Sequence, residues 1–263
     1  MIQTAYRDTL LMNSLNRPAI WESFASPDHP LYQQYSLSRL SGTLEDCFLK
    51  EVPESGSLGV FVPRLASQRA GDRKIKFCSV FSGYTGDAFT HQEFIAQALQ
   101  REIGVVCVRP KYSDSVGAML GATANLYSAL VSGMFPMDRI VFVRAISFGA
   151  QLAFVWIEQL KCGLEKVAFF APCSARQLPE AVGPFGMTVR CDKTLDIDIA
   201  NTRAEARVYY LARDNVVKGR DPIFASFANH VREYQIEQGE HFTVDATLEA
   251  TTESARWFLG EGA

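Results

Sequence analysis

The chain predicts an α/β domain: a mainly parallel central sheet with an antiparallel N-terminal edge and helices on both faces. Two observations predict it. From about residue 75 onward, short apolar runs alternate with longer amphipathic segments, and parallel strands need such a crossover between them. Earlier in the chain, two strand-like runs flank a polar turn, which suits an antiparallel hairpin at the edge of a mixed sheet.

In order, residues 39–44 and 59–63 predict the two antiparallel strands, joined by the turn Pro53-Glu54-Ser55-Gly56. Further strands are predicted over 76–81, 104–109, 139–145, 166–170, 207–211 and 233–237, and amphipathic helices over 90–102, 116–132, 148–161, 222–230 and 247–259. Residues 173–204 interrupt the alternation. They hold Pro179, Gly183-Pro184, Gly186 and the acids Asp192, Asp196 and Asp198, and are too long for a simple connection, so a cap or lid inserted above the sheet is expected. The aromatic N-terminal segment around Trp21, Phe24, Tyr32 and Tyr35 is expected to pack on the sheet or on a second subunit.

At 263 residues with 48% hydrophobic content the chain suits one domain, 1–263, with 173–204 as its cap. A net charge of -3 and the lack of a dense Lys/Arg block argue against nucleic acid as a partner. Apolar runs such as Val105-Val106-Cys107-Val108 are strand-length, so no membrane span is expected, and the N-terminus reads as no export signal. The six cysteines, Cys47, Cys78, Cys107, Cys162, Cys173 and Cys191, show no CxxC spacing and read as reduced, buried thiols of a cytoplasmic protein.

Ser147 ends an apolar strand-like run and opens a helix-like one, in Ala145-Ile146-Ser147-Phe148-Gly149. A turn that tight tolerates only small side chains two residues before and after the serine, here Ala145 and Gly149. A plain helix N-cap would also place a serine there. A serine hydroxyl needs a base to attack at neutral pH, and the base needs an orienting group. Of four histidines, His29 lies in a turn-rich loop and His91 and His230 in helix-like segments. His241 alone follows the last strand, in a loop that emerges at the carboxyl edge of the sheet with Ser147. Asp214 follows the strand over 207–211 and emerges at the same edge, with Asp221, Asp192, Asp196 and Asp198 as competing acids.

The small-x-Ser-x-Gly turn and the order Ser147, Asp214, His241 resemble the α/β-hydrolases, over about residues 36–260. Alanine at 145 replaces the usual glycine. The resemblance implies a nucleophile elbow at Ser147 with Asp214 and His241 as its triad partners. It also implies an oxyanion hole made by backbone N–H groups, that of Phe148 and one from the loop Phe81-Ser82-Gly83-Tyr84-Thr85-Gly86-Asp87, where Tyr84 is the expected donor. Members often carry His-Gly where this chain has Ser82-Gly83. Phe148, Phe185 and Met187 are expected to line an apolar acyl pocket, with core packing as the alternative. Arg144 sits in a strand buried on both faces and needs a partner: a helix acid is favoured over an acidic loop or a substrate carboxylate.

The implied activity is serine hydrolysis of an ester or thioester, carboxylesterase or thioesterase in type, on a small-molecule or carrier-bound acyl substrate and with no cofactor or metal. An acyltransferase using the same acyl-enzyme is the alternative, and a non-catalytic hydrolase-like binding protein is a further one.

Overall fold

The computed structural model describes residues 22–65, 75–83, 91–133, 135–175, 177, 202–214, 216–217, 219–237, 241 and 248–259. The strands are β1 (Glu22–Ser23), β2 (Leu44–Val52), β3 (Gly56–Pro63), β4 (Phe77–Phe81), β5 (Gly104–Pro110), β6 (Ile140–Ile146), β7 (Lys166–Phe170), β8 (Thr202–Leu211) and β9 (Ala228–Ile236). Among the described residues they form one sheet in the order β1-β2-β3-β5-β4-β6-β7-β8-β9. The β1–β2, β2–β3 and β3–β5 pairs are antiparallel, and every pair from β5–β4 to β8–β9 is parallel. The helices are α1 (Pro30–Gln34), α2 (Gln92–Gln100), α3 (Val116–Ser132), α4 (Gly149–Leu160), α5 (Ile223–Ser226) and α6 (Leu248–Leu259).

Strand side chains alternate between two cores because successive Cβ atoms point to opposite faces of a pleated sheet. Phe77, Phe81, Val106, Val108, Val143, Ala145, Val167, Phe169 and Val208 pack beneath α3 and α4. Cys78, Val80, Val105, Cys107, Phe142, Phe170 and Tyr209 face the other way, toward α2 and α6. Burial on both faces is why these strands read as continuous apolar runs. Phe24 and Tyr35 are buried in the second core, where Phe24 meets Phe61 edge-on at 5.9 Å, so the described part of the N-terminal aromatic segment packs on the sheet. Trp21 lies outside the described residues.

Most predicted elements stand within a residue or two of their expected bounds, and three corrections are needed. The first hairpin strand is 44–52, not 39–44: Leu37–Leu40 forms a 3-10 turn, while the charged stretch after it pairs with β3. Its charges deterred a strand reading, yet Asp46 accepts from the Cys47 amide at 2.8 Å, and Lys50 reaches the Ala129 carbonyl at 2.8 Å near the end of α3, where the helix dipole favours a cation. The predicted helix over 222–230 shrinks to α5, because from Ala228 onward the chain pairs with β8, and His230 is a strand residue opposite Glu205. Finally, β8 starts at Thr202, inside the expected cap, of which residues 176 and 178–201 lie outside the described residues. Among the described cysteines all five are free thiols, with Cys162 exposed rather than buried. No helix among the described residues is long and apolar enough to cross a membrane.

Candidate active site

β6 delivers Ser147 at its carboxyl end, and α4 starts two residues later. The turn is strained. Ser147 has φ 51, a left-handed value that disfavours residues with a Cβ and persists only when its surroundings hold it. They do: the Ser147 N–H donates to the Phe170 carbonyl at 2.9 Å, and the Ser147 carbonyl accepts from Ala150 at 3.1 Å and from Cys173 at 3.2 Å. The flanking positions are small because backbone passes close by. A Cβ on Gly149 would stand 2.1 Å from the Ser82 carbonyl oxygen, and one on Gly83 would stand 3.1 Å from the Ser147 Cβ. Ala145 is fully buried in the core.

The carboxyl ends of β8 and β9 bring the other two residues to the same edge. His241 Nε2 lies 2.6 Å from Ser147 Oγ, and His241 Nδ1 lies 2.8 Å from Asp214 Oδ2. The imidazole is almost wholly buried, with its side chain 1% exposed. An ionised carboxylate only accepts, so Nδ1 carries the hydrogen toward Asp214, and Nε2 is left to accept from the serine hydroxyl. The other carboxylate oxygen of Asp214 accepts from the amides of Val216 and Val217, each at 2.8 Å. Burial alone would push this carboxyl up. Its hydrogen bonds to His241, Val217 and Val216, together with the histidine's charge, outweigh burial and hold it below the ordinary carboxylate range.

Asp221, a competing acid in the sequence, is engaged elsewhere: it accepts from the Ser174 hydroxyl at 2.5 Å and from the Ile223 amide at 3.1 Å, at the start of α5. Asp192, Asp196, Asp198, Phe185, Met187 and Tyr84 lie outside the described residues. Phe148 is adjacent to Ser147, and its ring is fully buried among the core residues beneath α3 and α4. Arg144 is also fully buried, with its guanidinium 4.5 Å from the Phe94 ring centroid and 4.4 Å from that of Phe170. Rings at that range stabilise a desolvated cation through their quadrupoles, a partner type that the expected helix carboxylate did not anticipate.

One neighbour was read in the sequence only as a buried thiol. Cys173 Sγ lies 3.6 Å from Ser147 Oγ, and burial pushes its thiol up to about 12. It follows β7, the strand beside β6, so its place just past a carboxyl end was the available signal.

No family model matches the sequence, and no curated protein matches it. Solved structures do. Est1E from Butyrivibrio proteoclasticus aligns with a TM-score of 0.57 at 15% identity, over 78% of this chain and 94% of its own. The carboxylesterase CesB from Bacillus subtilis aligns at 0.56 and 10% identity, over 88% and 98%. Naproxen esterase from the same organism aligns at 0.54 and 12% identity, over 89% and 99%. With its sheet order, its single antiparallel edge and these structural likenesses, the chain has the α/β-hydrolase fold.

Proposed function

We propose that the chain is a serine hydrolase that cleaves a carboxylic ester or thioester through an acyl-enzyme. The observation that carries this reading is the continuous contact from Ser147 Oγ through His241 to Asp214, 2.6 Å and 2.8 Å, at a strained turn. His241 Nε2 takes the serine proton as Oγ attacks the acyl carbon, and Asp214 holds the imidazole in the required tautomer and stabilises its charge. The Phe148 amide, at the residue just before α4, and the Tyr84 amide are the proposed donors to the oxyanion of the tetrahedral intermediate. Protonated His241 then gives its proton to the departing alcohol or thiol. Water attacks the acyl-enzyme with His241 again as base, releasing the acid and restoring Ser147. Structural neighbours named as esterases support ester cleavage, and both the carrier-bound substrate and the cytoplasmic location belong to this proposal rather than to the geometry.

A fluorophosphonate probe tests it directly, because it phosphonylates only an activated serine. The expected result is stoichiometric labelling of the wild type, none of Ser147→Ala, and parallel loss of p-nitrophenyl ester hydrolysis. Absence of wild-type labelling would return the chain to the non-catalytic binding reading.

A further inference from the structure

The loop that precedes the proposed oxyanion donor Tyr84 carries Ser82-Gly83 in this chain, and its backbone is held from outside the elbow. The Tyr112 hydroxyl lies 2.7 Å from the Gly83 carbonyl oxygen and 3.2 Å from that of Ser82. One O–H hydrogen serves the nearer oxygen fully and the farther one weakly. Gly83 in turn lies against Ser147: a Cβ there would be 3.1 Å from the serine Cβ and 3.5 Å from its Oγ. Ser82-Gly83 is therefore wedged between the elbow on one side and Tyr112 on the other.

Tyr112 is itself anchored. It follows β5, half-buried against the core beneath α3, and the preceding Lys111 amide donates to the Ser55 carbonyl at 2.8 Å. Ser55 also accepts on Oγ from Asn125 of α3 at 3.1 Å, and Lys111 forms an ion pair with Glu54. Only glycine allows this approach at residue 56, where φ is +118 and a Cβ would stand 2.1 Å from the Arg109 carbonyl oxygen. A chain of contacts thus runs from the β2–β3 turn through Lys111 and Tyr112 to Gly83 and Ser147.

We infer that Tyr112 is a positioning residue for the proposed oxyanion hole: its hydroxyl holds the Gly83 carbonyl, and with it the loop backbone that lies against Ser147. The inference rests on the serine-hydrolase reading above. It concerns catalysis rather than substrate binding, because the hydroxyl touches loop backbone and a misplacement of about 1 Å in such a site lowers rates by up to about 100-fold.

Tyr112→Phe deletes only the hydroxyl. Rates are measured on p-nitrophenyl esters and normalised to the fraction of protein that the fluorophosphonate titrates, with a trifluoromethyl ketone, which forms an oxyanion on the serine, as inhibitor. The expected result is a fall in kcat of about 10- to 100-fold, KM within about twofold, and inhibition by the ketone weakened by the same factor as kcat. Unchanged kcat and ketone affinity would overturn the proposal, as would a rise in KM alone or a lower thermal midpoint with kcat per titrated site intact. Wild-type protein that the fluorophosphonate does not label would instead overturn the hydrolase reading, and this inference with it. A labelled, active wild type matched by Tyr112→Phe would sink only the positioning role.

Discussion

The Ser82 carbonyl oxygen stands 2.1 Å from the point that a Cβ on Gly149 would occupy, so the first turn of α4 meets the loop after β4 backbone against backbone. Neither side has a flexible side chain that could give way. The spacing between the serine turn and the loop beside it is therefore set by glycine at 149.

Gly149→Ala forces one of those backbones to move. Overpacking of this kind destabilises by about 1–3 kcal/mol, and moving Ser82-Gly83 displaces the proposed oxyanion donor as well. The expected outcome is a lower urea midpoint together with a fall in ester turnover of at least about tenfold. Urea unfolding followed by fluorescence and a steady-state assay check the two effects. A variant with wild-type stability would contradict the contact.

Asp214 contributes a pH-dependent part of stability. Its folded pKa lies below the unfolded value of about 3.9, so the unfolded state binds the proton first as pH falls. That contribution is fully present above the unfolded value and is lost as pH falls through the folded one. Wild type should therefore lose thermal stability more steeply than Asp214→Asn below about pH 4, with the two curves running parallel above pH 5. Thermal midpoints across pH 2.5 to 7 measure it. The same variant should lose about 10⁴-fold in kcat, the figure known for the analogous change in the chymotrypsin-type triad, because an amide leaves the imidazole in the wrong tautomer.

Ser147 holds a left-handed conformation that any residue with a Cβ occupies at an energetic cost of roughly 1–2 kcal/mol. Ser147→Ala and Ser147→Gly both remove the hydroxyl, yet glycine releases this strain and alanine keeps it. After the greater unfolded-state freedom of glycine is allowed for, Ser147→Gly should still be the more stable of the two, by about 1 kcal/mol. Guanidinium unfolding of both inactive variants decides it: equal midpoints would mean that the turn relaxes once the hydroxyl is gone.

Much of the fold was legible because local physics writes it into the chain. Val105-Val106-Cys107-Val108 reads as a strand-length apolar run, and β5 feeds its residues alternately to the two cores, which is why the run is unbroken. The N-terminal hairpin was half legible: the turn at 53–56 stood where its Pro, Ser and Gly put it, whereas β2 was hidden by the charges of Asp46, which is satisfied locally by the Cys47 amide, and Lys50, whose partner Ala129 is tertiary. β9 was misread for a related reason. Its start at Ala228 is determined by pairing with Thr202, and an exposed edge strand with polar residues on most positions carries no apolar alternation to read.

The sequence by itself determined the strand and helix alternation, the single antiparallel edge and the arrival of Ser147, Asp214 and His241 at one edge of the sheet, because periodicity and chain order follow from local burial and crossover rules. Only the tertiary structure decided that His241 bridges the other two, that Arg144 lies between Phe94 and Phe170, that Cys173 touches Ser147 and that Tyr112 holds Gly83. Each of these joins residues from different elements. Where two side chains meet is settled by how helices and strands pack and by the register of the sheet, and no period along the chain encodes it.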